Sequence, residues 1–222
     1  MDTEGHTQPT SRRLGRAQRV DSLGYLAAKR LLDIAGAFAA LIIASPIMLV
    51  TALAVVLDSP GPVFYSQYRL GRDGKPFHFY KFRSMNAAAP DLRDSLAASN
   101  EATGPVFKIR RDPRITRVGR IIRRYSIDEL PQLFHVLRGT MSLVGPRPPI
   151  PSEVDEYEPW QTERLAVKPG LTCLWQVSGR SDLGFDDWVR LDIEYVRHHD
   201  FWVDLKLLLL TIPAVLTARG AY

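Results

Sequence analysis

The run Arg123-Arg124-Tyr125-Ser126-Ile127-Asp128-Glu129-Leu130-Pro131 sets two adjacent acids just downstream of two adjacent arginines. Ser126 and Glu129 have the S-x-x-E spacing of a capping box, so part of the pattern is what a helix start needs. Capping does not require Asp128. In a first helical turn the unsatisfied amides favour an anion and lower a carboxylate pKa. Neighbouring acids and arginines can together hold a divalent metal and a phosphate group, and an ionised aspartate can attack phosphorus. Further cations follow. Val144-Gly145-Pro146-Arg147-Pro148-Pro149 is a stiff loop presenting Arg147; Gly179-Arg180 follows a turn; Tyr80-Lys81-Phe82-Arg83-Ser84-Met85 adds Lys81 and Arg83. Proline flanks reduce the entropy lost when a guanidinium docks on phosphate. Each cation alone is an ordinary surface charge. Together, next to an apolar anchor, they point to a substrate containing pyrophosphate. The five histidines show no metal-ligand spacing, and no G-x-S-x-G, Walker or dinucleotide motif occurs.

These residues need elements to position them. The chain has 222 residues, 45% hydrophobic and 24% charged, which excludes wholesale disorder. One cysteine, Cys173, excludes an internal disulfide framework. Residues 1–151 carry 22 Lys/Arg against 12 Asp/Glu, whereas 152–204 carry 5 against 12. The basic part calls for an anionic partner: a lipid surface, a phosphorylated substrate or nucleic acid. Residues 1–24 read as a disordered basic leader, 25–58 as a membrane segment and 59–222 as one cytosolic α/β domain.

Ile34 to Leu57 is 24 residues without a charge, long enough as a helix to cross a bilayer. Ser45-Pro46 interrupts it at the midpoint. Proline removes the amide that would bond Ile42, and Ser45 is placed to take up a freed carbonyl. Basic residues flank both ends, Arg12, Arg13, Arg16, Arg19, Lys29 and Arg30 before it and Arg69, Arg72, Lys75, Lys81 and Arg83 after. A span would carry one cluster across, against the positive-inside tendency. The expectation is a re-entrant helix hairpin. Phe201 to Ala218, interrupted by Asp204, Lys206 and Pro213, reads as an interfacial or a core helix, with Trp202 at headgroup level in the first case. Two short strands, 63–65 and 77–80, are expected around a turn at 69–75, with a polar helix at 87–98 and a helix from Ser126 to about Leu137.

The ordered motifs identify the chain as resembling the bacterial sugar transferases, the monotopic phosphoglycosyl transferases. The motifs run Lys29-Arg30-x-x-Asp33; Ser45-Pro46; Lys81-Phe82-Arg83-Ser84-Met85; Asp112-Pro113-Arg114-Ile115-Thr116; Ser126-x-Asp128-Glu129-Leu130-Pro131-Gln132-Leu133; Gly145-Pro146-Arg147-Pro148; Lys168-Pro169-Gly170-Leu171-Thr172; Trp175-Gln176-Val177-Ser178-Gly179-Arg180; and Ala218-Arg219-Gly220-Ala221-Tyr222. The resemblance implies a small mixed α/β catalytic domain on a re-entrant membrane helix, with interfacial amphipathic helices. It implies transfer of hexose-1-phosphate from a UDP-sugar to undecaprenyl phosphate, releasing UMP, as a first step of exopolysaccharide assembly. Asp128 would be the nucleophile and carry a covalent phosphosugar. Glu129, with Asp128, would hold Mg2+, and Arg123, Arg147 and Arg180, with Lys81 and Arg83, would surround the phosphates. Ser45-Pro46 would mark the membrane break. The implied place is the cytoplasmic face of the bacterial inner membrane. The expected partners are its lipid, the UDP-sugar and undecaprenyl phosphate, without nucleic acid, and a homodimer stays open. The Ala218–Tyr222 ending favours UDP-glucose or UDP-galactose. Thr140 and Cys173 depart from the usual pattern, the first replacing an acid and the second a glycine. Two rival readings remain: a membrane-tethered basic module binding lipid or nucleic acid, and a membrane-bound nucleotide-sugar pyrophosphatase.

Overall fold

The computed structural model describes residues 21–86, 88–89, 91–178 and 183–217. Helix α1 (Leu23–Asp58) opens on Ser22, whose hydroxyl accepts the Tyr25 amide, and it carries Pro46 inside. It is one helical element where the sequence suggests two arms. The reason is local: the carbonyl that Pro46 leaves free, that of Ile42, accepts the Ser45 hydroxyl at 2.9 Å, so the ladder loses little.

One face of α1 lies on the rest of the protein along its whole length. Asp33, Ala37, Ala44, Thr51 and Val55 are buried, at the three-and-four spacing of a helix face. Ala40 and Leu41 pack on one core cluster and Met48 and Ala52 on another. The opposite face is open and apolar, with Phe38, Ile42, Ile43, Leu49, Val50, Leu53 and Leu57 all more than half exposed. Charged side chains pin both ends. Near the N-terminus Lys29 Nζ reaches Asp204 at 2.7 Å and the Val144 carbonyl. Arg30 donates to the carbonyls of Val136 and Leu137, while Asp33 accepts the Ser142 hydroxyl and the Leu143 amide, each at 2.9 Å.

After Ser59-Pro60-Gly61-Pro62, strands β1 (Phe64–Leu70) and β2 (Pro76–Phe82) form an antiparallel hairpin that pairs Phe64 with Phe82 and Leu70 with Pro76. The strands are longer than the sequence suggests, so Arg69 belongs to β1 and not to the turn. Where a polar helix is expected at 87–98, the described residues hold a 3-10 turn at Asp94–Ser99. Helix α2 (Arg117–Arg124) is capped by Thr116, and Asp58 at the end of α1 accepts its Val118 amide at 2.9 Å. The single helix expected from Ser126 is two elements, a 3-10 segment Ile127–Gln132 and helix α3 (Leu133–Arg138).

Strand β3 (Ser142–Val144) pairs in parallel with β4 (Gly170–Thr172). The pairing is close: a Cβ on Gly170 would lie 2.0 Å from the Gly145 nitrogen, so only glycine fits. Between them lie α4 (Pro151–Asp155) and a 3-10 segment Pro159–Ala166, and α5 (Leu174–Ser178), α6 (Phe185–His198) and α7 (Phe201–Thr217) follow among the described residues. The main core joins Ala37 of α1 to Phe79, Leu133, Val136, Leu143, Val144, Tyr195 and Leu207. A second holds Trp175 stacked on Trp188, with Cys173 and Phe185. The architecture is mixed α/β with a long apolar N-terminal helix.

Candidate active site

Asp128 and Glu129 sit in the first turn of the 3-10 segment, straight after Ser126, whose φ of 54° is left-handed. The capping box expected there does not form. The Ser126 side chain makes no cap bond; its carbonyl accepts the Glu129 amide at 3.2 Å. The left-handed residue turns the chain sharply out of α2, and that turn sets the acids against β2.

Asp128 is 6% exposed. Burial raises its pKa to about 6; the charges of Lys81 and Arg123 pull it down and that of Glu129 pushes it up. The lowering expected from a helix start is therefore reversed, because a short 3-10 turn supplies little dipole while the surroundings strip away water. Lys81 and Arg123 are close enough to favour the charged carboxylate, though not enough to offset its loss of water. Lys81, half-buried on β2 with its ammonium 5.6 Å from the Tyr65 ring centre, has its pKa lowered to about 8. Burial is the main cause; Asp128 opposes it, and Arg123 and Arg69 add to it.

A narrow cleft opens beside this pair, lined by Arg69, Phe79, Lys81, Glu129, Gln132, Arg147, Pro148, Gly170, Leu171 and Gln176. Arg147 is exposed on a loop that is held from three sides. Arg69 Nη1 donates to the Pro148 carbonyl at 2.8 Å, the Leu70 amide to Pro149, and Arg164 to the Arg147 carbonyl at 3.2 Å. Arg164 is itself buried and fixed by Asp192 and the Tyr157 hydroxyl. The strand carrying Lys81 is held by His135 of α3, whose Nε2 accepts the Tyr80 amide at 3.2 Å. Burial lowers the His135 pKa, which keeps that nitrogen free to accept.

The structure thus brings Lys81, Arg123, Asp128, Glu129 and Arg147 together. It does not bring Arg83. That guanidinium is 6% exposed and bonds the carbonyls of Val55, Ser59, Pro60, Gly61 and Pro62 and the Ser59 hydroxyl. It ties the end of α1 to the hairpin and leaves no donor for a phosphate. Arg180 lies outside the described residues. Cys173 is 1% exposed and its thiol is held protonated by burial.

Two site residues escaped assignment from sequence. Arg69 reads as a turn residue, yet in the observed register Tyr65, Gln67 and Arg69 share a face with Phe77, Phe79 and Lys81. Alternation along a longer strand is the signal that finds it. Gln132 lies inside the Asp128 motif but has no role read from type alone. It is 2% exposed and its amide nitrogen has no hydrogen-bond partner; the same holds for the buried Arg69 Nε. A buried unpaired donor costs about 1–3 kcal/mol.

Among the described residues no group of three or more His, Cys, Asp or Glu could hold a metal. Two adjacent carboxylates do suit magnesium, which keeps waters and takes its remaining ligands from substrate phosphates. Four cations around two acids can bind a polyanion and hold a carboxylate against phosphorus.

The model of the family described as bacterial sugar transferase matches residues 24–218. The chain is 46% identical over 198 residues to "Galactosyl transferase CpsE" of Streptococcus agalactiae serotype III, covering 89% of this chain and 44% of that protein. It is 46% identical over 198 residues to "Undecaprenyl-phosphate galactose phosphotransferase" of Salmonella typhimurium, covering 87% and 41%. With "Exopolysaccharide production protein ExoY" of Rhizobium meliloti it shares 39% over 199 residues, 88% of each. The chain spans a little over two fifths of the first two relatives and most of the third.

Proposed function

The chain belongs to the bacterial sugar transferase family, and from that premise we propose that it moves hexose-1-phosphate from UDP-galactose or UDP-glucose to undecaprenyl phosphate. The observation that carries the reading is the buried Asp128 carboxylate, within electrostatic reach of Lys81 and Arg123 and next in sequence to Glu129 of a cleft that also bears Arg69 and Arg147. An Asp128 oxygen attacks the β-phosphorus; the bond from that phosphorus to the bridging oxygen breaks and UMP leaves. A phosphate oxygen of the lipid then attacks the same phosphorus and frees the carboxylate. Arg147, on its braced loop, orients the diphosphate. Lys81 offsets the charge that accumulates as two anions meet. Magnesium held by Glu129 and Asp128 would neutralise phosphate oxygens. The printed names of two relatives give galactose.

The same reading makes the protein monotopic, with α1 entering and leaving on one membrane face. What supports it is that Lys29, Arg30 and Asp33 near one end of the helix, and Asp58 and Ser59 at the other, bond the same compact domain. A span would separate these contacts by a bilayer about 30 Å thick. The open faces of α1 and of α7, with Trp202, Leu209, Ile212 and Leu216 exposed, then meet lipid and set Asp128 near headgroup height, where the acceptor phosphate lies.

Purified protein given a panel of UDP-sugars and a polyprenyl phosphate is expected to release UMP and form polyprenyl-diphospho-hexose. Without acceptor, Asp128 is expected to carry a phosphohexose adduct detectable by mass spectrometry. Sugar phosphate released without lipid product would indicate hydrolysis and refute the transferase reading.

A further inference from the structure

The cleft beside Asp128 is unbalanced in its hydrogen-bonding groups. Lys81, Arg147, Arg69 and Gln132 offer donors, and against them stands one carboxylate, Glu129. Two of the donors are buried without a partner, the Gln132 amide nitrogen and Arg69 Nε. Neither is loose. Gln132 follows Glu129 by three residues in a 3-10 segment, where residues three apart eclipse, so both share the cleft-lining face. Arg69 is oriented by its Nη1 bond to the Pro148 carbonyl and by the Phe79 ring 5.2 Å away. Among the described residues seven buried side-chain atoms lack a partner, and two of them, both donors, belong to residues lining this one cleft. Fixed, dry donors on residues that line a donor-rich cavity fit a ligand with several acceptor oxygens and no donors.

The geometry points to Gln132 and Arg69 as substrate-binding residues that grip the non-bridging oxygens of the sugar nucleotide's diphosphate. The inference rests on the functional reading above and adds to it two contacts, one of them neutral. A neutral amide binds phosphate oxygens without adding to the repulsion among Lys81, Arg69 and Arg147, where the charge of Arg147 helps lower the Arg69 pKa and that of Arg69 helps lower the Lys81 pKa. Because the diphosphate is common to all UDP-sugars, the contact is indifferent to the hexose.

The test is titration of the full chain in detergent micelles with UDP at fixed magnesium, comparing wild type with Gln132→Met and Gln132→Glu. Methionine keeps length and loses the donor; glutamate keeps shape and puts an acceptor where the donor was. Loss of a charge-assisted bond is expected to raise the UDP Kd roughly 10-fold or more for Gln132→Met, with a melting temperature no lower than that of wild type because a buried unpaired donor is removed, and further for Gln132→Glu. KM is expected to rise by the same factor for UDP-galactose and UDP-glucose. Should Gln132→Met not fold, the near-isosteric Gln132→Glu carries the measurement. Unchanged UDP affinity in an active protein would overturn this inference alone, as would a KM effect confined to one sugar. Wild type that neither binds UDP nor releases UMP would take down the functional reading as well.

Discussion

Burial of Asp128, the proposed nucleophile, makes an unusual demand on the fold. Asp128 goes from an ordinary 3.8 to about 6, so keeping it ionised at pH 7 costs about 3 kcal/mol at about 1.4 kcal/mol per pH unit. Asn at this position is neutral and nearly isosteric. Asp128→Asn is therefore expected to stabilise the protein while abolishing transfer. At about 2–4 °C per kcal/mol for a chain of this size, the apparent Tm should rise by roughly 6–12 °C in metal-free buffer. The sign is specific. A raised carboxyl pKa favours the folded state at low pH, and that advantage is lost as pH rises from the unfolded value through about 6. The gap between variant and wild type should thus be full at pH 7–8, about half as large at pH 5, and about a fifth as large near pH 4, where the folded side chain is neutral. Thermal unfolding of both proteins across pH 5 to 8, alongside UMP release, measures this. A destabilised Asp128→Asn, or a gap that ignores pH, would show that the cations around Asp128 outweigh its loss of water and would refute the reasoning.

Arg83→Met strips the donor from five carbonyls and a hydroxyl at the end of α1; it should cost about 3 kcal/mol or more while KM for the UDP-sugar in the folded fraction stays within about twofold. Weak nucleotide binding by a normally stable Arg83→Met would instead return this residue to the site. Asp204, fully buried, accepts from Lys29, Tyr25 and Tyr195. Removing its charge with Asp204→Asn should cost about 3–5 kcal/mol and expose the α1–α7 junction to proteolysis, readable as a lower Tm and faster cleavage. Pro46→Leu restores the amide that bonds Ile42 and should drive α1 toward spanning, with lower activity. Maleimide labelling of cysteines placed at Ser22 and Ser59 reports the side of each end; same-side labelling with a full rate in that variant would deny the proline a role.

Much was legible from local pattern. The charge-free length of α1, the Ser45 repair of the Pro46 gap, the β1–β2 hairpin and the nearness of Arg123 to Asp128 and Glu129 follow from residue type at short spacing, whereas the joining of Lys81 and Arg147 to them was implied by the family resemblance and not by spacing. Other features were not. The sequence favours a capping box at Ser126 and Glu129, but the chain leaves α2 through a left-handed Ser126 because the acids must turn back onto β2. Lys81 and Arg83 look equivalent two residues apart. Strand pairing ends at Phe82, and the next residue swings to the end of α1 and its free carbonyls. Arg69 makes the opposite move, from apparent turn residue to cleft wall.

Chemical identity and backbone preference are written in neighbouring residues, so the amino-acid string alone names the anchor, the acids and the cations. Ionisation and pairing are different in kind. Whether Asp128 loses or keeps its proton depends on water excluded and charges delivered by segments from Lys81 to Arg123, and whether an arginine serves substrate or scaffold depends on which acceptors reach it first. Those are sums over groups that become neighbours only when the chain has folded.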